Sequence, residues 1–177
     1  MKSKPVILAA CPIQTALGVF AAHYSASGLA CLDFPGRKKM AGAPAASATI
    51  RLWHKRACRA LARVLQGRAP GALPPLDLAR GTPFQRKVWA ALRQIPAGQT
   101  ESYGRLAAAL GAPKAARAVG GACGANPIPL LIPCHRVVPS GGGLGGFSGG
   151  LHWKRRLLAL EAGKPGRRIS LLREAVS

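Results

Sequence analysis

A chain of 177 residues has room for one large domain or two small ones, each able to bury a core. Hydrophobic residues make up 49% of it, which excludes a disordered polymer, yet 26 Lys and Arg against 5 Asp and Glu leave a formal charge of +21. That imbalance points to a polyanionic partner, nucleic acid ahead of an anionic membrane surface, with a merely solubilising basic surface as the bland alternative.

No apolar run approaches the ~18 residues of a membrane span, and the apolar stretch Val6 to Ala10 is shorter than the ~7–15 residues of a signal core. The expected location is the cytoplasm. Five cysteines, at 11, 31, 58, 123 and 134, are an odd number without a C-x-x-C pair, which argues for a reducing compartment and against a disulfide framework. Cys11, His23, Cys31 and His54 could supply zinc ligands, but their spacing matches no standard pattern, so buried thiols and surface histidines are expected.

In chain order, residues 13–36 read as strands. Val19, Ala21 and His23 alternate with Phe20, Ala22 and Tyr24, residues 25–28 turn, and Leu29 to Phe34 returns. Arg37 to Ala46 reads as a basic loop of small residues. From Ser47 the period changes: Ile50, Trp53, Ala57, Leu61, Val64 and Leu65 fall at helical spacing, with Arg51, Lys55, Arg59 and Arg63 largely on other faces. Gly67 stops that helix, and Cys58, beside its apolar stripe, reads as a core thiol. Residues 68–81 form a connection with one short strand around Leu76, Asp77 and Leu78.

The second half opens on a helix start. Thr82 can cap, Pro83 suits the first helical position and Gln85 completes a capping box, with Phe84, Val88, Ala91, Leu92 and Ile95 as the apolar face. Ser102 caps a second helix with core face Tyr103, Leu106, Ala107 and Leu110, stopped by Gly111; Pro113 starts a third, ending at Gly124. Helix, Gly-containing turn and helix give a helix-turn-helix outline. The third helix has almost no side-chain bulk, and each interior glycine costs about 1 kcal/mol relative to alanine. Close approach of another backbone compensates, either a core helix or a partner, and the charge with the single protruding Arg117 favours DNA. After the Gly-rich stretch 140–150, a last helix runs from Leu151 to Ala162 with Trp153, Leu157 and Leu160 inward, and a basic tail follows.

Cys134 and His135 end the apolar run Asn126 to Pro133. A cysteine is nucleophilic as thiolate, which requires a base or a positive field. In an extended segment adjacent side chains point to opposite faces, so a bend or a water must connect the pair. The imidazole also needs an orienting acceptor. Glu101 reads as a loop residue and Glu174 lies in the tail, whereas Glu161 emerges near the buried stripe of the last helix and suits His135. A surface Glu161 paired with Lys154 or Arg156 is the alternative.

From Gly81 to Gly163 the chain resembles the O6-alkylguanine-DNA alkyltransferases. The resemblance rests on Gly81-Thr-Pro-Phe-Gln85, Ser102-Tyr103-Gly104, Pro113-Lys-Ala-Ala-Arg117-Ala-Val-Gly-Gly121, Asn126-Pro-Ile-Pro129, Ile132-Pro-Cys-His-Arg-Val137, Ser148-Gly-Gly150 and Leu157-Leu158 through Glu161. The first ~80 residues resemble the family's N-terminal domain more weakly, through Thr15-Ala-Leu-Gly18, Gly28-Leu29 and Leu32-Asp-Phe34, with Ala16 where a proline is common.

The resemblance implies an α/β N-terminal domain over 1–79, an antiparallel sheet plus helix of ribonuclease H-like type. A mainly α domain of winged helix-turn-helix type follows over 80–165, then a basic tail over 166–177. It implies repair of O6-alkylguanine, and of O4-alkylthymine, in double-stranded DNA by base flipping and single-turnover transfer of the alkyl group to Cys134. By the same resemblance His135 activates Cys134 through a water, Glu161 orients His135, Asn126 braces the turn, and Tyr103 protonates the guanine leaving group. Arg117 fills the gap left by the base, and Ala116, Gly120, Gly121 and Tyr103 meet the DNA, the slight helix lying in the minor groove. Pro129, Val137, Phe147 and Ser148 line the base pocket, Phe147 standing where a tyrosine is frequent. No metal or small cofactor is needed for such a displacement, and the implied form is a cytoplasmic monomer, nucleoid-associated in a bacterium. A lesion-binding protein without transfer activity, a helix-turn-helix regulator and a thiol hydrolase are the rival readings.

Overall fold

The computed structural model describes residues 6–36 and 46–163. Most of the basic loop expected over residues 37–46 and the tail expected from residue 166 lie outside them. The first half is an antiparallel sheet in the order β1 (Ala9–Thr15), β2 (Gly18–Ser25), β3 (Gly28–Asp33), followed by α1 (Ala48–Val64). The opening strand begins at Ala9, earlier than the expected residue 13, and Pro12 is admitted because β1 is an edge strand. The β1–β2 turn closes as the Thr15 hydroxyl donates to the Gly18 carbonyl at 2.7 Å, with Gly18 at φ +109°. The strand expected around Leu76 is a single parallel bridge to Leu29, with Leu29 donating to Pro75 and Asp77 to Leu29, each at 2.8 Å.

Helix α1 is capped by Ser47, lays Ile50, Ala57, Ala60, Leu61 and Val64 inward, and ends before Gly67 at φ +72°. Its His54 sets Nδ1 3.1 Å from the Tyr24 hydroxyl and Nε2 3.5 Å from Cys58, which is half-buried rather than sealed in the core. His23 pairs instead with Asp33 at 3.0 Å, and among the described residues no three His, Cys, Asp or Glu side chains converge as a metal site would require.

The second half holds α2 (Pro83–Leu92), β4 (Glu101–Ser102), α3 (Tyr103–Ala109), α4 (Ala116–Gly124), β5 (Val137–Val138) and α5 (Leu151–Glu161). Thr82 and Gln85 form the full capping box and Pro83 opens α2. The inward face of α2 includes Trp89, absent from the expected stripe; its indole N–H donates to the Ala122 carbonyl at 2.8 Å, tying α2 to α4. Helix α4 starts at Ala116, not Pro113: residues 112–115 form a tight turn, with Ala115 donating to Ala112 at 2.8 Å. Glu101 is not a loop residue either, since β4 pairs in parallel with β5.

Contacts among the described residues join the halves. The Leu32 N–H of β3 donates to the Pro127 carbonyl at 2.9 Å, and Trp153 of α5 packs against Phe20 and Phe34 with ring centroids 5.5 and 5.1 Å away. Burying three aromatic rings at one seam removes a large apolar area from water and fixes α5 against the sheet.

Candidate active site

The prolines at 127, 129 and 133 deny helix to the segment after α4, so it runs as an irregular loop whose side chains Ile128, Leu130, Leu131 and Ile132 are all buried. Leu130 sits at φ +71°, a left-handed conformation costly to a branched residue and held by that burial. Asn126 organises the loop. Its Oδ1 accepts from the Ile128 N–H at 3.0 Å, and its Nδ2 donates to the Ile132 carbonyl at 2.8 Å and to the Cys134 sulfur at 3.2 Å.

Cys134–Arg136 form one turn of 3-10 helix. Three residues per turn spread successive side chains around the axis, so the Cys134 sulfur and His135 ring diverge and share no hydrogen bond. His135 Nε2 instead lies 2.9 Å from Glu161 Oε1, both side chains almost wholly buried. Its Nδ1 has no partner among the described residues. With Nε2–H donating to a carboxylate, Nδ1 is left as the acceptor nitrogen. The Phe147 ring stands edge-on to the imidazole, centroids 6.4 Å apart.

Glu161 therefore meets His135, and the alternative of a surface carboxylate paired with Lys154 or Arg156 does not hold. Its second partner, Arg136, went unrecognised in the sequence: Nη2 is 2.7 Å from Oε1, and Nε is 3.2 and 3.0 Å from the two oxygens. Burial alone would raise the Glu161 pKa, but the hydrogen bonds from His135 and Arg136 outweigh it and hold it at about 2. Burial lowers the His135 pKa against the opposing pull of Glu161, so the ring is a neutral base. Burial also raises the Cys134 thiol, opposed by the Asn126 amide and the Lys154 charge. The resting sulfur is a thiol, which would act as a nucleophile only after losing its proton.

Lys154 is the second residue missed. It is fully buried and donates to the Val137 carbonyl at 2.6 Å, and its ammonium lies 6.0 Å from the Tyr103 ring centroid. The signal was present: the buried positions of α5 are 153, 154, 157 and 158, so Lys154 falls on the helix's inward stripe.

Cys134 is 3% exposed. It lies in a cavity of about 690 Å³ lined by Tyr103, Cys123, Phe147 and Ser148 together with Ala116, Arg117 and Gly120 of α4. Pro129 and Val137, expected in the pocket lining, are buried outside it. Burial raises the Tyr103 phenol, with Cys123 and Cys134 adding to it, so the hydroxyl keeps its proton. Gly121 of α4 is exposed, and a Cβ there would meet no atom within 4 Å; at Gly120 it would touch the Tyr103 ring at an ordinary 3.9 Å. Among the described residues, no element requires those two glycines for packing.

Residues 83–163 match the family profile of the 6-O-methylguanine DNA methyltransferase DNA binding domain. The methylated-DNA--protein-cysteine methyltransferase of Methanosarcina barkeri is 41% identical over 154 residues, covering 84% of this chain and 94% of that relative. The chain belongs to this family. Its relative of the same description from Mycolicibacterium paratuberculosis is 59% identical over 86 residues, 49% of this chain, and that match spans about half, 52%, of the relative's length. Among solved structures, Mycobacterium tuberculosis OGT in complex with DNA is similar with a TM-score of 0.73 and 38% identity, over 88% of this chain and 94% of that one.

Proposed function

We propose that this protein repairs O6-alkylguanine in double-stranded DNA by moving the alkyl group irreversibly to Cys134. The observation that carries the reading is the buried Cys134 in a cavity that opens on α4, with a neutral His135 oriented by a charge-paired Glu161 behind it. A base within the stack cannot meet a protein sulfur in line, so the guanine is flipped into the cavity. The slight surface of α4, at Ala116, Gly120 and Gly121, lies in the minor groove, and Arg117 takes the place of the flipped base.

The chemistry is one displacement. Cys134 gives its proton through a water to His135 Nδ1, the thiolate attacks the alkyl carbon as its bond to O6 breaks, the electrons of that bond pass into the purine, and Tyr103 protonates the departing guanine at a ring nitrogen, leaving a phenolate. Phe147 and Ser148 face the base. The thioether product is a poor leaving group, so each molecule acts once. O4-alkylthymine offers the same alkyl–oxygen bond and is a second substrate. Residues 1–79 are the supporting domain, ribonuclease H-like in type, and residues 80–165 the winged helix-turn-helix domain. The protein works as a monomer in the cytoplasm, on nucleoid DNA in a bacterium.

The test is direct. Excess protein is incubated with a duplex bearing one O6-methylguanine, digested, and the peptide holding Cys134 is weighed. A gain of one methyl on that peptide is expected; an unmodified peptide with intact lesion would overturn the reading.

A further inference from the structure

The outward face of α1 carries five cations, Arg51, Lys55, Arg56, Arg59 and Arg63, and the helix contains no carboxylate. Along a helix, positions 51, 55, 59 and 63 stack at i,i+4 spacing, where like charges repel. The side chains of Lys55, Arg56 and Arg59 make no hydrogen bond or ion pair among the described residues. The four described carboxylates are engaged elsewhere: Asp33 with His23, Asp77 with Ser25, Glu101 with Arg105, and Glu161 with His135 and Arg136. The row continues across a groove of about 670 Å³ to α5, since Arg59 and Arg156 line the same groove.

We infer that this ridge is a second contact for the phosphate backbone of DNA, separate from α4. It rests on the proposed function only in taking DNA as the partner. The row from Arg51 to Arg63 rises about 18 Å, the axial length of about five base pairs. Four of its five cations are arginines, whose planar forks suit phosphate. An anionic membrane is the poorer fit, because the apolar face of α1 is buried on the sheet and has nothing to insert in lipid. A second copy of a chain carrying +21 is repelled. The helix tolerates its own repulsion because the polyanion relieves it. The contact adds affinity without sequence preference, leaving alkyl transfer unchanged.

The experiment compares wild type with the triple variant K55Q/R56Q/R59Q on a long duplex, recording the dissociation constant against salt. If the three side chains meet phosphates, the logarithmic salt slope shrinks in magnitude by about 2 to 3. The variant's thermal midpoint should be unchanged or higher, and its extent of methyl transfer from a saturating short duplex unchanged. An unaltered slope overturns the inference. So does an equal loss of slope in R80Q/K87Q/R93Q, which removes the same charge elsewhere, because diffuse charge would then suffice. Loss of binding to phosphatidylglycerol vesicles with the DNA slope intact would assign the ridge to a membrane and also refute it. A slope difference between the two proteins, with a wild type whose Cys134 never gains a methyl, would sink the proposed function and leave the ridge standing.

Discussion

Arg136 grips the Glu161 carboxylate from the residue next to His135, its Nη2 2.7 Å from the same Oε1 that His135 Nε2 approaches at 2.9 Å. Adjacent residues of one 3-10 turn thus share one acceptor, and Glu161 stays ionised whether or not the imidazole is charged. Arg136 also donates through Nη1 to the Ile95 carbonyl, so the carboxylate that meets His135 is tied to the turn after α2. Separate fixing of the acceptor and the base keeps the imidazole's orientation independent of its protonation.

Stability should follow this pairing in acid. The Glu161 pKa falls from an ordinary 4.5 to about 2 on folding, so its contribution, about 3 kcal/mol, is complete above pH 4.5 and lost as pH falls towards 2. His135, lowered by burial, acts in the same direction: the unfolded chain takes its proton first as pH drops through 6.5. A thermal midpoint that declines gently below neutrality and steeply below 4.5 is expected. Glu161→Gln should lower stability at neutral pH by about 3–5 kcal/mol, by leaving Arg136 unpaired, and flatten the acid limb. Denaturant titrations across pH check both, and a steep limb surviving in the variant would assign it to other carboxylates.

Lys154 should set the reactivity of the sulfur. Its ammonium lowers the Cys134 pKa against the larger effect of burial. Lys154→Met, which keeps the length of the chain but not the charge, should move the pH profile of iodoacetamide labelling at Cys134 upward. Peptide mass spectrometry resolves that site from the other thiols. An unmoved profile would mean that the Asn126 amide and the backbone, without Lys154, offset burial.

Gly121→Ala should separate folding from binding. The added methyl meets none of the described residues, and alanine favours helix by about 1 kcal/mol. The variant should unfold at higher denaturant, yet bind duplex DNA several-fold more weakly, because the methyl intrudes on the groove. Unchanged affinity by fluorescence anisotropy would remove α4 from the interface.

Transfer and binding should divide at the site itself. Cys134→Ala should retain duplex affinity and lose all transfer; loss of both would make the cysteine structural. His135→Gln should slow transfer about 10²-fold or more without changing affinity. Arg117→Ala should slow repair in duplex far more than repair of the free base, which single-turnover assays on the two substrates compare directly.

What the sequence made legible was written locally. Thr82, Pro83 and Gln85 announce α2 because capping chemistry spans three positions, and Glu161 could be matched to His135 because few carboxylates were available. Arg136 and Lys154 were missed because a buried cation is identified by its partners, and those partners lie 25 and 17 positions away. The β4–β5 pair joins two-residue strands, too short for any alternation to show. Helix α4 starts three residues after Pro113 because that proline suits the tight turn it occupies as well as a first helical turn.

Helix α5 carries three obligations at once: Trp153 against the sheet, Lys154 under β5, and Glu161 at the base. Severing the chain near residue 80 would therefore not liberate an autonomous repair module. The truncated half would expose Trp153, free α5 to shift, and blunt the sulfur some distance from the cut.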